Sequence, residues 1–425
     1  MSMAKQGAKT AVLRLRFPEF VGEPFREVQL KDVTSESITR NVDELSTKSV
    51  MGVAKAEGIV PMKERLIASD ISRYKVVQKD CFAYNPMRLN IGSIARWQGD
   101  SDILVSPDYV VFQCTKGLDS EIAPAYLDHF RQSGAWEKFV TEGGDGSVRV
   151  RIYYKDLARL QLTLPSLAEQ QKIADCLTSL DEVIAAQGRK VEALKTHKRG
   201  LMQQLFPRKG ETRPRFRFPE FRDAPEWREG ALGSLTVKVG SGVTPRGGDS
   251  NYKRKGRPFV RSQNVDWGQL LLDDIVFIDE STHESFNGTE IADSDVLLTI
   301  TGASIGRSAI ADYRIVGGNV NQHVCIIRTN QSELNPVLLS HFLISERGQE
   351  QIDGFQAGGN RQGLNFAQIR SFKIPLPPTS HEQKRISDCL SSLDTQINAE
   401  SAQLTALKTH KQGLMQQLFP AQRAG

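Results

Sequence analysis

Cysteine is scarce in this chain: 425 residues hold five, Cys81, Cys114, Cys176, Cys325 and Cys389, and no two stand in CxxC spacing. An odd, scattered set excludes a disulfide framework and reads as reduced thiols. Cys176 and Cys389 are expected to be small apolar fillers beside a hydrophobic seam. Long apolar runs are missing too. No stretch approaches the roughly 18 apolar residues of a membrane span, and the opening MSMAKQGAKTAVLRLRFPEF carries no apolar signal core. Neither secretion nor a membrane partner is expected, and the expected compartment is the cytoplasm. Charge of one sign is not in large excess: 55 basic against 50 acidic residues leave +5, which permits a polyanionic partner without demanding one.

Catalytic motifs legible from spacing are absent as well. There is no GxxxxGK[ST] phosphate loop, no HExxH, no GxSxG elbow and no metal-spaced Cys/His set. Gly302, Gly306, Gly317 and Gly318 lie near apolar runs without forming GxGxxG. His197 and His410 precede Lys198 and Lys411 on long helical patterns, where surface or partner contact is expected rather than metal binding. No catalytic residue, metal or cofactor is therefore expected in this chain.

What the sequence has is an internal repeat. Glu169 to Pro207 returns 213 positions later as Glu382 to Pro420, with 25 of 39 residues identical and no gap. A shorter repeat opens each half: Arg16-Phe17-Pro18-Glu19-Phe20 matches Arg217-Phe218-Pro219-Glu220-Phe221. The chain is thus a tandem of two similar units, and two halves of about 200 residues suit the usual size of a domain. In the long repeat, Ile173, Leu177, Leu180, Ile184, Gln187, Val191, Leu194, Lys198, Leu201 and Leu205 alternate in steps of four and three. Ile386, Leu390, Leu393, Ile397, Glu400, Leu404, Leu407, Lys411, Leu414 and Leu418 do the same. Such a seam needs a partner helix, and the obvious partner of each copy is the other. Both helices run from acidic starts to basic finishes, which suits each helix dipole and favours antiparallel pairing. Phe-Pro ends each, because Pro207 and Pro420 forbid clean continuation.

The bodies between the helices diverge but echo one another. Short β-branched runs, Asp295 to Ile300 and His323 to Ile327, predict strands. Pro124 and Pro336 predict helices with proline in the first turn. The fold class expected is mixed α/β: two pseudo-twofold-related recognition bodies separated by two long helices in an antiparallel coiled coil. The expected domains are 1–164, the first spacer helix at 165–207, 208–377 with a solvated basic linker at 208–217, and the second spacer helix at 378–425.

Polar residues suited to reading base edges cluster in the bodies. The second offers Arg261, Ser262, Gln263 and Asn264; Thr301, Ser304 and Arg307; Asn319, Asn321, Gln322 and His323; and Arg361 and Gln362 in a Gly-rich loop. The first offers Arg88, Asn90, Ser93 and Arg96, then Arg149 beyond a Gly-rich loop. Arg pairs with guanine, and Asn or Gln with adenine, through bidentate hydrogen bonds in the major groove. Asn85-Pro86-Met87 shares two residues with the Asn-Pro-Pro-Tyr motif of amino-methyltransferases. It lacks the second proline and the aromatic that would stack on a flipped base.

These residues resemble a known family, the specificity subunits of type I restriction-modification systems. The likeness rests on Leu376-Pro377-Pro378 with Glu382-Gln383, its twin Leu164-Pro165 with Glu169-Gln170, and Arg-Phe-Pro-Glu-Phe at each half's start. In the second body it rests on Arg261 to Val265, Leu298 to Arg307 and Asn321 to Val324; the first body resembles a different recognition subtype. The resemblance implies a non-catalytic subunit that binds an asymmetric, bipartite site on double-stranded DNA. It implies two docked adenine-methyltransferase (modification) subunits and two ATP-driven restriction subunits as partners, with S-adenosylmethionine, ATP and Mg on those partners. Two rivals stand beside it. A self-contained DNA methyltransferase or nuclease would need the missing motifs, and a purely structural scaffold would leave two divergent bodies without a role.

Overall fold

The computed structural model describes residues 15–42, 45–55, 57–115, 121–142, 151–286, 288–356 and 363–419. The chain divides into two compact units, Met1–Ala186 with Leu404–Gly425, and Gln187–Gln403. Each unit therefore owns one body and parts of both long helices.

In the first unit, strands Thr34–Ser37, Val110–Cys114, Phe82–Tyr84 and Ile94–Arg96 form a four-stranded antiparallel sheet in that order. Successive residues of a strand point to opposite faces, so a strand apolar throughout must be covered twice. Phe82, Tyr84 and Phe112 pack towards helix Pro124–Phe130 and the start of the first long helix, while Ala83, Ala95 and Val111 pack towards the hairpin Met51–Ala54/Gly58–Pro61. In the second unit, Thr236–Ser241, Val324–Thr329, Val296–Thr299 and Ser308–Ile310 form a like sheet. Its faces divide Val296, Leu298, Cys325 and Ile327 from Leu297, Ala309, Val324 and Ile326. Beside it lies a three-stranded sheet, Val276–Ile278, Arg257–Val260 and Asn319–Val320, whose last pair is parallel. The strands expected near Asp295 and His323 are present, and Pro124 and Pro336 open helices as their chemistry dictates.

Both units close in the same way. A short strand after the Arg-Phe-Pro-Glu-Phe marker pairs with the strand just before the long helix: Arg26–Gln29 with Gln161–Leu164, and Arg228–Ala231 with Lys373–Leu376. The Glu-Gln dipeptide repeated at each helix start then acts as a clasp. Glu169 receives Arg16 Nε at 2.9 Å and Nη2 at 2.6 Å, and Glu382 receives Arg217 Nε and Nη2, both at 2.8 Å. Gln170 accepts from Ala123 N and donates to Glu121 O, and Gln383 accepts from Asn335 N and donates to Glu333 O. The Glu holds the Arg-Phe-Pro-Glu-Phe marker that precedes the entry strand, and the Gln holds the proline helix.

The long helices span Leu167–Leu205 and Ser380–Leu418. In the first unit, Asp181 receives Lys411 Nζ at 2.6 Å, while Ile173 and Leu177 share a core with Met415 and Leu418. In the second, Gln187 donates to Glu400 at 2.7 Å and Lys198 to Asp394 at 2.5 Å. Rising numbers on one helix meet falling numbers on the other, so the segments in each unit run antiparallel. None of the twenty seam positions is exposed. The polar ones are satisfied in place: the two Lys–Asp pairs occupy matching repeat positions, and Lys190 also reaches Glu400 at 2.5 Å. Cys176 and Cys389 beside the seam are half-buried free thiols, less enclosed than expected, because they flank rather than enter it. The segment 208–217 is mostly exposed, yet Trp227 N bonds to Thr212 O and Phe216 N to Gln204 O, which tie it down.

Candidate nucleic-acid interface

In the second unit the three polar stretches meet. Ser262, Gln263, Thr301, Ser304, Arg307 and His323 line one open cleft of about 380 Å³. Each arrives at the end of a strand: a short 3-10 turn follows strand Arg257–Val260, another follows Val296–Thr299, and Asn321 to His323 link Asn319–Val320 to Val324–Thr329.

The turns are held from within by some of the residues expected to read bases. Asn264 is fully buried; it accepts from Arg261 N, and its amide donates to Leu271 O at 2.9 Å and Asp274 at 2.7 Å. Arg261 donates to Asp274 O at 2.7 Å, and Asn321 is buried with its amide oxygen capping His323 N. Asn319 is likewise fully buried and donates to Thr289 at 2.8 Å, and Gln263 lines the cleft but its amide donates to Asp274, so these side chains build the turns and leave Ser262 facing the cleft. Arg307 lies 3.4 Å from Asp266 and is partly exposed.

His323 is the centre of a relay. Gln322 Nε2 lies 2.9 Å from His323 Nε2, and His323 Nδ1 lies 2.5 Å from Thr301 Oγ1. Gln322 Oε1 accepts from the Thr244 hydroxyl, so its nitrogen is the group turned towards the ring. An amide nitrogen donates, so His323 Nε2 accepts and Nδ1 carries the proton. Thr301 Oγ1 then accepts from the ring, and its own hydrogen is free to point into the cleft. Beneath the site, burial pushes the Cys325 thiol up to about 12, a chemically inert neighbour.

In the first unit the expected residues separate. Arg88 and Asn90 are exposed on the turn before and within Leu89–Ile91, a turn anchored by buried Leu89 and by Gly92 at φ +91°. Ser93 is buried and donates to Val53 O at 2.8 Å. Arg96 pairs with Asp80 at 3.1 Å and Asp128 at 3.5 Å, largely out of solvent. Ser93 and Arg96 thus serve the packing of the sheet, and Arg88 and Asn90 remain available. Asn85 turns its amide oxygen to Met87 N, closing its own turn. Arg149, Arg361 and Gln362 lie outside the described residues. Thr244, Asp266 and Asp274, which support the cleft, escaped the sequence reading; each is brought there only by tertiary contact, and no local pattern marks them.

No helix among the described residues is long and apolar enough to cross a membrane. The family model for the type I restriction modification DNA specificity domain matches residues 111–196 and 226–409, more than half of the chain. A Methanocaldococcus jannaschii protein bearing the name of the type I restriction enzyme MjaX specificity subunit is 23% identical over 92% of this chain and 88% of its own length. The MjaVIII specificity subunit of the same organism is 22% identical over 67% of each. Among solved structures, the type I restriction-modification S subunit from M. genitalium matches with TM-score 0.61 at 12% identity, over 97% of this chain and 100% of its own. A chain from a study of complex assembly in the type I R-M system matches with TM-score 0.54 at 18% identity, over 93% of this chain and 98% of its own. The chain belongs to the specificity subunits of type I restriction-modification systems, the non-catalytic DNA-recognition members of those systems.

Proposed function

We propose that residues 1–164 and 208–377 are two separate readers of one split site on double-stranded DNA, and that the helices at 165–207 and 378–425 fix the unread gap between the half-sites. The observation that carries this is the convergence of three strand-end turns on the cleft around Ser262, Thr301, Ser304 and His323. Strand ends displayed on a rigid sheet are a favoured place for binding residues. Hydroxyl, amide and guanidinium groups supply the donors and acceptors that base edges require. In the first body, Arg88 and Asn90 take that role. The repeated helices present like surfaces to two modification subunits, with restriction subunits joining them; S-adenosylmethionine, ATP and Mg belong to those partners, and the complex works in the cytoplasm.

The test is to map methylated adenines in cells carrying the chain with its second body, about Phe218 to Pro375, exchanged for a relative's. One half-site changes and the other stays. A change in both half-sites refutes independent reading. Deleting seven residues, two helical turns, from one long helix changes the spacer and leaves both half-site sequences intact; an unchanged spacer refutes the role of the helices.

A further inference from the structure

The segment joining strand Thr236–Ser241 to strand Arg257–Val260 is tied near each end to a residue adjoining the lining of the cleft, Gln322 beside His323 and Arg261 beside Ser262. At its start, Gly242 N donates to Asn321 O at 3.2 Å, and a Cβ there would fall 1.5 Å from Val320 O, so only glycine fits. Two residues on, the Thr244 hydroxyl donates to Gln322, the residue beside His323. At the far end, Tyr252 lies against Phe259 with ring centroids 5.6 Å apart, and the Arg261 guanidinium sits over Tyr252 at 5.6 Å, next to Ser262. The loop is therefore pinned near both ends beside the same cleft.

Its charge is one-sided. Between Gly242 and Arg257 the sequence holds five cations, Arg246, Lys253, Arg254, Lys255 and Arg257, against Asp249 alone. Two of the five are engaged: Arg257 with Glu280 at 2.7 Å and Lys253 with Asp279 at 3.9 Å. Arg246, Arg254 and Lys255 are exposed and make no ion pair among the described residues. Unpaired cations on a surface loop are ordinary when the loop is free. Here the backbone is fixed beside a cleft whose own lining cation, Arg307, already faces Asp266 at 3.4 Å.

We infer that Arg246, Arg254 and Lys255 form a phosphate clamp that holds the DNA backbone while the cleft reads the bases. The inference rests on the reading of the cleft proposed above. Phosphate contacts set position and supply affinity without sequence information, and each releases a counterion, so the clamp has a salt signature that base contacts lack.

The experiment uses the full chain assembled with its modification subunits. Two duplexes serve as probes, one carrying the mapped methylation site and one lacking it. Binding is measured from roughly 50 to 200 mM salt, where each lost phosphate contact lowers the log–log slope by about 0.9. For the Arg246→Ala/Arg254→Ala/Lys255→Ala variant, the slope falls by up to about 2.7, so the salt-induced loss of affinity across that range shrinks by up to roughly 40-fold. Both duplexes weaken by the same factor, and the preference between them is unchanged. Replacing Arg254 by Lys restores its share of the slope. Ser304→Ala is the control for the cleft, because it lines the cleft and does not touch the loop: it lowers the preference and leaves the slope alone. A triple variant with wild-type slope beside an altered Ser304→Ala preference overturns the clamp while the cleft stands. A wild-type preference in Ser304→Ala overturns the reading of the cleft, and the clamp with it.

Discussion

Removing the carboxylate of Glu382 tests the claim that the start of each long helix is clasped by a buried ion pair. Arg217 and Glu382 side chains are 8% and 1% exposed, and the two parallel bonds at 2.8 Å are joined by Trp227 Nε1 at 3.1 Å. With Glu382→Ala, the guanidinium keeps its bonds to Ala224 O and Pro225 O but loses its counter-charge. Breaking a buried pair from one side costs about 3–5 kcal/mol. For a unit of roughly 200 residues this lowers the melting temperature by about 10 °C. The Glu382→Leu/Arg217→Met double variant recovers much of the loss, because an apolar pair of similar volume has no charge to solvate; Trp227 remains without its acceptor, so about 1–3 kcal/mol stays missing. Calorimetry on the full chain reads both transitions, and Glu169→Ala shifts that of the first unit through Arg16. A loss below about 1 kcal/mol for Glu382→Ala, the value of an exposed pair, refutes the argument.

The remaining predictions concern acid, glycine and the division of labour in the cleft. His341 is held neutral, its pKa pushed down to about 3 by burial, with Lys198 acting in the same direction; burial and then Lys411 also lower that of His129. A depressed histidine stabilises the fold fully above its unfolded pKa of about 6.5, and that contribution is lost as pH falls. Stability of the second unit should drop by up to about 1.4 kcal/mol per pH unit between about pH 6.5 and 5, and His341→Asn flattens the slope in urea titrations at each pH. The window stops there because Asp394 beside His341 has a carboxyl raised by burial, which takes up a proton in the opposite sense at lower pH. Gly242→Ala drives a Cβ into the Val320 carbonyl and costs about 3 kcal/mol or more, read by chemical unfolding; wild-type stability would mean that the loop start is free to move. Asn264→Ala lowers the melting temperature through three lost hydrogen bonds, with Arg261 N, Leu271 O and Asp274, whereas Ser304→Ala leaves it unchanged and alters DNA preference; the reverse pattern refutes the roles given to them.

Read as a string, the sequence already contained the tandem, the two helices and their direction. A 213-residue repeat and a four–three apolar step are properties of spacing, and spacing survives without coordinates. It also contained the proline-opened helices and the central strands, because these follow from local backbone chemistry. Glu382 and Gln383 were visible as a recurring dipeptide, but not as a clasp: their partners Arg217 and Asn335 lie far away in sequence.

The same limit governs the site. Arg261, Asn264 and Asn321 were legible as polar residues in turns, and so were Ser262, Thr301 and His323. Composition does not say which side chains a turn consumes in holding itself together. Only the tertiary structure decided that Asn264 is spent inward on Leu271 and Asp274 while Ser262, Thr301 and Ser304 face a cleft. It likewise separated Ser93 and Arg96, turned inward to Val53, Asp80 and Asp128, from Arg88 and Asn90, left in solvent. The physical reason is the same throughout: periodicity fixes which face a residue occupies, whereas the partner of a polar group is set by which distant segment packs against that face.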